Sequence, residues 1–173
     1  MTPLKWEDIY DVISGGKWVI VGEPPMLISS HVVSVDVKGR VSIPARFREY
    51  LSATYGDQLV LLDMDSCIFA YPLEEWRRRF SEKFRDLPTY REEVRRYLRR
   101  MYGRAMQCEL DKQGRILLPG RIREAAGLQK EAVIVGLENK FEIWSRERWE
   151  QQGNGKPGEA QEASEQGLIE LEF

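Results

Sequence analysis

The chain has 173 residues, 42% of them hydrophobic, and a formal net charge of −2, values that suit one soluble domain or two small ones. Apolar runs such as "WVIV" and "LVLL" fall far below the roughly 20 residues a bilayer-spanning helix requires, and the acidic start "MTPLKWEDIYDV" lacks the basic and apolar regions of a secretory signal. Two cysteines, Cys67 and Cys108, lie far apart with no partners at metal-ligand spacing; they argue against a disulfide framework or zinc site and suit a reducing, cytoplasmic compartment, packed as small apolar side chains.

The charge is unevenly spread. Residues 1–25 hold two basic and four acidic residues, residues 26–150 hold 23 and 19, and residues 151–173 hold one and five. A surplus this small in the middle says little by itself, so the test is whether basic residues cluster at equivalent places.

In chain order, residues 1–25 form an extension in which "LKWEDIYDVI" has the spacing of an amphipathic helix, followed by "SGG" and "KWVIVGEPP". A first repeat is predicted over residues 26–76. In it, "HVVSVD" is a strand, "VKG" a turn, "RVSIP" a second extended run and "ARFREYL" a short helix entered through Pro44; "QLVLL" and "CIFAY" are two further strands around an acidic turn, and "PLEEW" opens another helix. A helical hairpin is predicted over residues 77–104, with apolar steps at Trp76, Phe80 and Phe84 and at Tyr90, Val94 and Leu98, and with Thr89 and Glu92 as a capping box. A second repeat over residues 105–151 runs through "CELD", "RILLP", "GRIREAAGL", "AVIVGL", "KFEIW" and "SRERWEQ", with Gly127 ending its helix. Residues 152–173 are polar, acidic and Gly-containing, the composition of a disordered tail, with a terminal "LIELEF" apolar enough to adhere elsewhere.

The two repeats are written in the same words. "DVKGRVSIPARFRE" from Asp36 aligns with "DKQGRILLPGRIRE" from Asp111, and half of the aligned positions are identical. Asp at the first turn position accepts backbone N–H bonds and Gly at the fourth takes a left-handed conformation, so Asp36 with Gly39, and Asp111 with Gly114, are read as turn-formers. Arg40 and Arg115 follow each turn; they either reach back to the Asp or point outward toward an anion. A turn needs no cation, yet Lys38 and Lys112 occupy the tips, and arginines two apart follow on each helix: Arg46 and Arg48, then Arg121 and Arg123. Guanidinium groups bind phosphate bidentately and read guanine in the major groove, which a narrow β-hairpin can enter.

These residues, with "YPLEEW", "CELDKQGRILLPGRIREAAGL" and "VGLENKFEIW", closely resemble the MraZ family, bacterial transcription regulators with two AbrB-like half-domains, each bearing a D-x-x-x-R motif; the resemblance covers Met26 to about Gln151. It implies an α+β fold, a duplicated AbrB-like β-barrel core with short helices and a helical hairpin between the repeats, and a ring-shaped homo-oligomer. It also implies binding to short, G-rich direct repeats in double-stranded DNA upstream of the division and cell-wall gene cluster, including the regulator's own gene, with repression as the usual outcome. DNA contact falls to Lys38, Arg40, Lys112 and Arg115, and more weakly to Arg46, Arg48, Arg121 and Arg123, some of which are alternatively subunit contacts. The implied setting is the cytoplasm, at the nucleoid, with no membrane, cofactor, metal or small-molecule ligand. The family usually starts about ten residues before the first motif Asp, where Met26 stands, so residues 1–25 are expected to derive from a start codon read too far upstream.

Two rival classes are weighed against this. His31, the only histidine, has no nucleophile, phosphate loop or metal constellation around it in the sequence, so no catalytic residue is expected. An oligomeric interaction or antitoxin-like protein is the second alternative, since "WRRRF" and "REEVRRYLRR" can bind acidic partners; such runs are more often solvated helix faces with Glu–Arg pairs.

Overall fold

The computed structural model describes residues 10–13, 17–20, 26–64 and 66–152. The first half contributes β3 (Leu27–Ser34), β4 (Arg40–Ser42), α1 (Ala45–Thr54), β5 (Gln58–Asp63) and β6 (Ile68–Pro72), preceded by a separate hairpin of β1 (Tyr10–Ile13) and β2 (Lys17–Ile20). The insertion is α2 (Leu73–Trp76), a π-helical turn (Arg77–Ser81), α3 (Glu82–Arg85) and α4 (Glu92–Arg104). The second half repeats the order: β7 (Ala105–Glu109), β8 (Arg115–Leu117), α5 (Gly120–Ala125), β9 (Glu131–Glu138), β10 (Phe141–Ser145) and α6 (Arg146–Gln151).

Six strands form one antiparallel sheet in the order β3-β9-β10-β6-β5-β7, and β4 pairs with β8 as a separate two-stranded ribbon. Exchanging equivalent strands of the two halves (β3 with β7, β5 with β9, β6 with β10) gives the same order read from the other end. The opening strand of each half therefore pairs with the third strand of the other, β3 on β9 and β7 on β5. Neither half completes its hydrogen bonding alone, and an isolated hairpin is marginal in water, so the repeats are interlocked. The pairings of this sheet run from edge strand β3 to edge strand β7, with the β4–β8 ribbon as a separate pair laid over it, and do not by themselves close a barrel.

Both faces of β5 are covered, which explains why "QLVLL" is a continuous apolar run instead of an alternating one. Leu59 and Leu61 face a large core with Val41, Ile43, Phe47, Leu51, Ile116, Leu118, Ile122, Ile134, Phe141 and Ile143. Val60 and Leu62 face the opposite way, against Tyr71 and Trp76. Helix α1 follows Pro44 and buries Phe47, Tyr50 and Leu51, an i, i+3, i+4 stripe, and ends where Gly56, at φ +86°, donates to the Leu51 carbonyl. Helix α5 follows Pro119, buries Ile122, and stops at Gly127, φ +67°, as its sequence predicted.

The insertion forms its two helical limbs, joined through aromatic contacts: Phe80 lies 4.6 Å from Trp76, and Phe84 meets Tyr97 at 5.8 Å and Tyr102 at 5.5 Å between ring centroids. The predicted Thr89–Glu92 capping box does not form. Helix α4 has Arg91 at its N-cap position without a side-chain cap, and Glu92 pairs with Arg95 at 2.5 Å and Arg99 at 2.9 Å. Two guanidinium partners outcompete one backbone N–H for a carboxylate. The N-terminal helix expectation also fails where it is described, since Tyr10–Ile13 is a strand paired with Lys17–Ile20. Its aromatic and β-branched residues before "SGG" satisfy hairpin preferences better than helical ones. The remainder of that segment, and the tail at 153–173, lie outside the described residues. Among the described residues, no helix is long and apolar enough to cross a membrane.

Candidate nucleic-acid interface

Each D-x-x-G-R segment closes the same tight turn. In the first, Asp36 Oδ1 accepts from the backbone N–H groups of Lys38 and Arg40, both at 2.9 Å, and Gly39 N–H donates to the Asp36 carbonyl at 2.9 Å. In the second, Asp111 Oδ1 accepts from Gln113 at 2.8 Å and Arg115 at 2.9 Å, and Gly114 N–H donates to the Asp111 carbonyl at 2.8 Å. Gly39 and Gly114 sit at φ +82° and +72°, a region that favours glycine.

The choice between an inward and an outward arginine resolves as an ion pair. Arg40 Nε donates to Asp36 Oδ2 at 2.6 Å, and Arg115 binds Asp111 Oδ2 through Nε at 2.9 Å and Nη2 at 2.8 Å. These carboxyls are held below the usual carboxylate range, chiefly by the backbone N–H bond from the motif arginine and further by its side chain. The pair fixes each guanidinium without burying it.

The ribbon register then places both arginines on one surface. Arg40 lies opposite Leu117 and Ser42 opposite Arg115, while Val41 and Ile116 pair between them and are fully buried. By the two-residue period of a strand, Arg40, Ser42, Arg115 and Leu117 share the outward face. Leu117 remains 54% exposed there. The two turns sit at opposite ends of this short ribbon, with Lys38 and Val37 exposed at one tip and Lys112 and Gln113 at the other. Ser42, Leu117 and Val37 were not singled out from the sequence; the alternation in "RVS" and "RIL" was the signal for the first two, legible once the strands are known to pair with each other.

The helix arginines separate into two kinds. Arg46 and Arg121 are exposed, the latter with a 3.4 Å contact from Nη2 to the Gly103 carbonyl. Arg48 and Arg123 are half-buried and lie over the glycines of the turns. His31 sits in a strand with its ring edge-on to Phe47, the ring centroids 5.5 Å apart, and its Nε2 2.8 Å from Ser29 Oγ, as an ordinary strand residue would. Burial pushes the Cys67 and Cys108 thiols up to about 12, although only Cys67 is fully buried. Among the described residues, no group of three or more His, Cys, Asp or Glu is placed to hold a metal ion.

The chain matches a family model described as "MraZ protein, putative antitoxin-like" over residues 26–100 and again over 101–166. It is 44% identical over 126 residues to the transcriptional regulator MraZ of Moorella thermoacetica, covering 73% of this chain and 85% of the relative. It is 47% identical over 126 residues to that of Pelotomaculum thermopropionicum (72% and 83%), and 40% identical over 141 residues to that of a Thermoanaerobacter species (81% and 95%). With two consecutive matches to one family model, and relatives covered over more than four-fifths of their length, the chain belongs to the MraZ family.

Proposed function

We propose that this chain is a DNA-binding transcriptional regulator, a repressor that occupies short direct repeats upstream of the division and cell-wall gene cluster, its own gene included. The observation that carries the reading is the ribbon face, where Arg40 and Arg115 are oriented by carboxylates on one surface between two lysine-tipped turns. A two-stranded ribbon fits the major groove, fixed guanidinium groups suit guanine edges, and exposed lysines suit phosphates. Lys38, Arg40, Lys112 and Arg115 make the principal contacts, with Arg46 and Arg121 at the margin. The protein acts in the cytoplasm on the nucleoid as a ring-shaped homo-oligomer built on an AbrB-like barrel, since one ribbon touches few phosphates and several joined rigidly along one duplex gain effective concentration.

Mobility shifts on the DNA upstream of the gene test this. The parent should prefer that DNA over a scrambled duplex, and Arg40→Ala with Arg115→Ala should abolish the preference. Because those arginines also brace the turns, Lys38→Ala with Lys112→Ala is the companion: neither lysine has an ion-pair partner among the described residues, so the fold stays intact. That variant should bind every duplex less tightly and lower the slope of log K against log salt by about two per subunit engaged. A parent without preference for its own upstream DNA overturns the reading. The family description supplies one observation for the antitoxin-like alternative; retention of the oligomer with no specific DNA complex would favour it.

A further inference from the structure

Arg48 belongs to the first half and Arg123 to the second, yet each lies against the turn of the other half. A Cβ placed on Gly39 would come within 2.6 Å of Arg123 Nε and 2.8 Å of the Leu118 carbonyl, and one placed on Gly114 would come within 2.8 Å of Arg48 Nε. The volume that a side chain at either glycine would need is thus filled by a guanidinium group from across the pseudo-symmetry. The surrounding bonds close the arrangement. Leu118 N–H donates to the Gly39 carbonyl at 2.9 Å while the Leu118 carbonyl accepts from Arg123 Nε at 2.8 Å, and Ile43 N–H donates to the Gly114 carbonyl at 3.0 Å.

We infer that Arg48 and Arg123 are positioning residues, each bracing the turn that the opposite half presents to DNA; this rests on the DNA-binding reading above. A phosphate contact wants its guanidinium in open water before binding, as the exposed Arg46 offers two residues before Arg48 on the same helix. Arg48 and Arg123 instead cover backbone, and the Arg48 Nε is sealed from solvent. The two braces are unequal. Arg123 Nε is anchored on the Leu118 carbonyl, beside the Leu118-to-Gly39 bond, whereas Arg48 Nε has no hydrogen-bond partner, so the side chain over the first turn is itself fixed in place and the one over the second is held by packing alone. A buried donor without a partner is costly, which makes Arg48 the weaker brace and the second turn the more yielding of the two.

Amide hydrogen exchange on the full chain without DNA reads this directly. Arg123→Met, which keeps the apolar stem, should speed exchange at Gly39 and Leu118 about tenfold, the effect of losing one hydrogen bond, and leave Gly114 unchanged. Arg48→Met should act at Gly114 and Ile43, by less, and leave Gly39 unchanged. Arg→Lys at either site restores charge without the planar Nε and should not restore protection. With DNA, the Met variants should bind less tightly at an unchanged salt slope, whereas a lost phosphate contact lowers the slope by about one. Exchange that changes at the turn of the substituted residue's own half, or nowhere, overturns the inference, as does a slope drop of one with protection intact. A parent that binds no specific DNA would defeat the regulator reading while leaving the exchange result to stand or fall alone.

Discussion

Alanine at the two turn glycines should not cost the same, although both occupy the same motif position. Each substitution forces an L-residue to a positive φ, +82° at residue 39 and +72° at residue 114, a strain of about 1–2 kcal/mol. The added methyl then meets different neighbours. At residue 114 it meets Arg48 side-chain atoms, which swing aside. At residue 39 it also meets the Leu118 backbone carbonyl at 2.8 Å; that carbonyl cannot retreat without breaking the Leu118-to-Gly39 bond or displacing β8, so an overpacking term of about 1–3 kcal/mol is added. Gly39→Ala should therefore destabilise by about 3–4 kcal/mol and Gly114→Ala by about 1–2. Urea denaturation at one fixed protomer concentration measures both, with the m-value unchanged if the loss is one of stability alone. Equal losses at the two sites, or a larger loss at residue 114, would refute the backbone-versus-side-chain distinction on which the difference rests.

Two further outcomes are expected. Asp36 and Asp111 have depressed carboxyl pKa values in the folded chain, so their contribution is complete above the ordinary carboxylate value near 4 and disappears as pH falls through the lower, folded one; Asp36→Asn with Asp111→Asn should flatten the acid limb of stability against pH, and an unaltered limb would show that these carboxyls play no part. The buried Glu75 carboxylate gathers Tyr55 Oη at 3.1 Å, Arg78 Nη2 at 2.8 Å, Arg79 Nε at 3.2 Å and Asn139 Nδ2 at 3.0 Å. Burial alone would raise its pKa, and the hydrogen bonds from Arg78, Arg79 and Tyr55 more than offset that. Glu75→Ala should cost about 2–3 kcal/mol in thermal or urea unfolding, because it strands donors from the insertion and from the β9–β10 turn together; a cost below about 0.5 kcal/mol would mean the network is solvated.

Local structure was legible wherever a side chain decides it locally. Asp36, Gly39 and Pro44 specify a turn and a helix entry without help from the rest of the chain, and the same holds for Asp111, Gly114 and Pro119. The strands of each half follow from runs such as "QLVLL" and "KFEIW". What the sequence does not carry is the exchange of partners. Nothing in "HVVSVD" says that it pairs with "AVIVGL" of the other half, because period-2 alternation fixes a face and not a neighbour. From that gap came the treatment of Arg48 as an equivalent of Arg46: two arginines on one short helix look alike until the turn that one of them covers, at Gly114 in the other half, is placed beside it. Thr89 and Glu92 mislead for a different reason, since a capping box competes with the arginines that follow it, and "REEVRRYLRR" offers two within reach.

The ion pairs at the motif have a second consequence for the proposed DNA-binding face. Arg40 and Arg115 stand diagonally across a three-residue ribbon, close enough for like charges to repel. Asp36 and Asp111 compensate that repulsion while fixing the orientation of each guanidinium, so the centre of the face is ordered but nearly neutral. The net positive charge then lies outside it, on Lys38, Lys112, Arg46 and Arg121, all exposed. Long-range attraction and salt dependence follow net charge, and base discrimination follows oriented donors. On this reading the two demands are divided between different residues of one short motif: the lysines govern how tightly any duplex is held, and the carboxylate-braced arginines govern which duplex. Asp36→Asn, which frees the Arg40 guanidinium and adds a positive charge to the face, should therefore raise affinity for scrambled DNA while narrowing its difference from the cognate sequence. A variant that gained affinity with discrimination intact would show instead that the aspartate serves the turn alone.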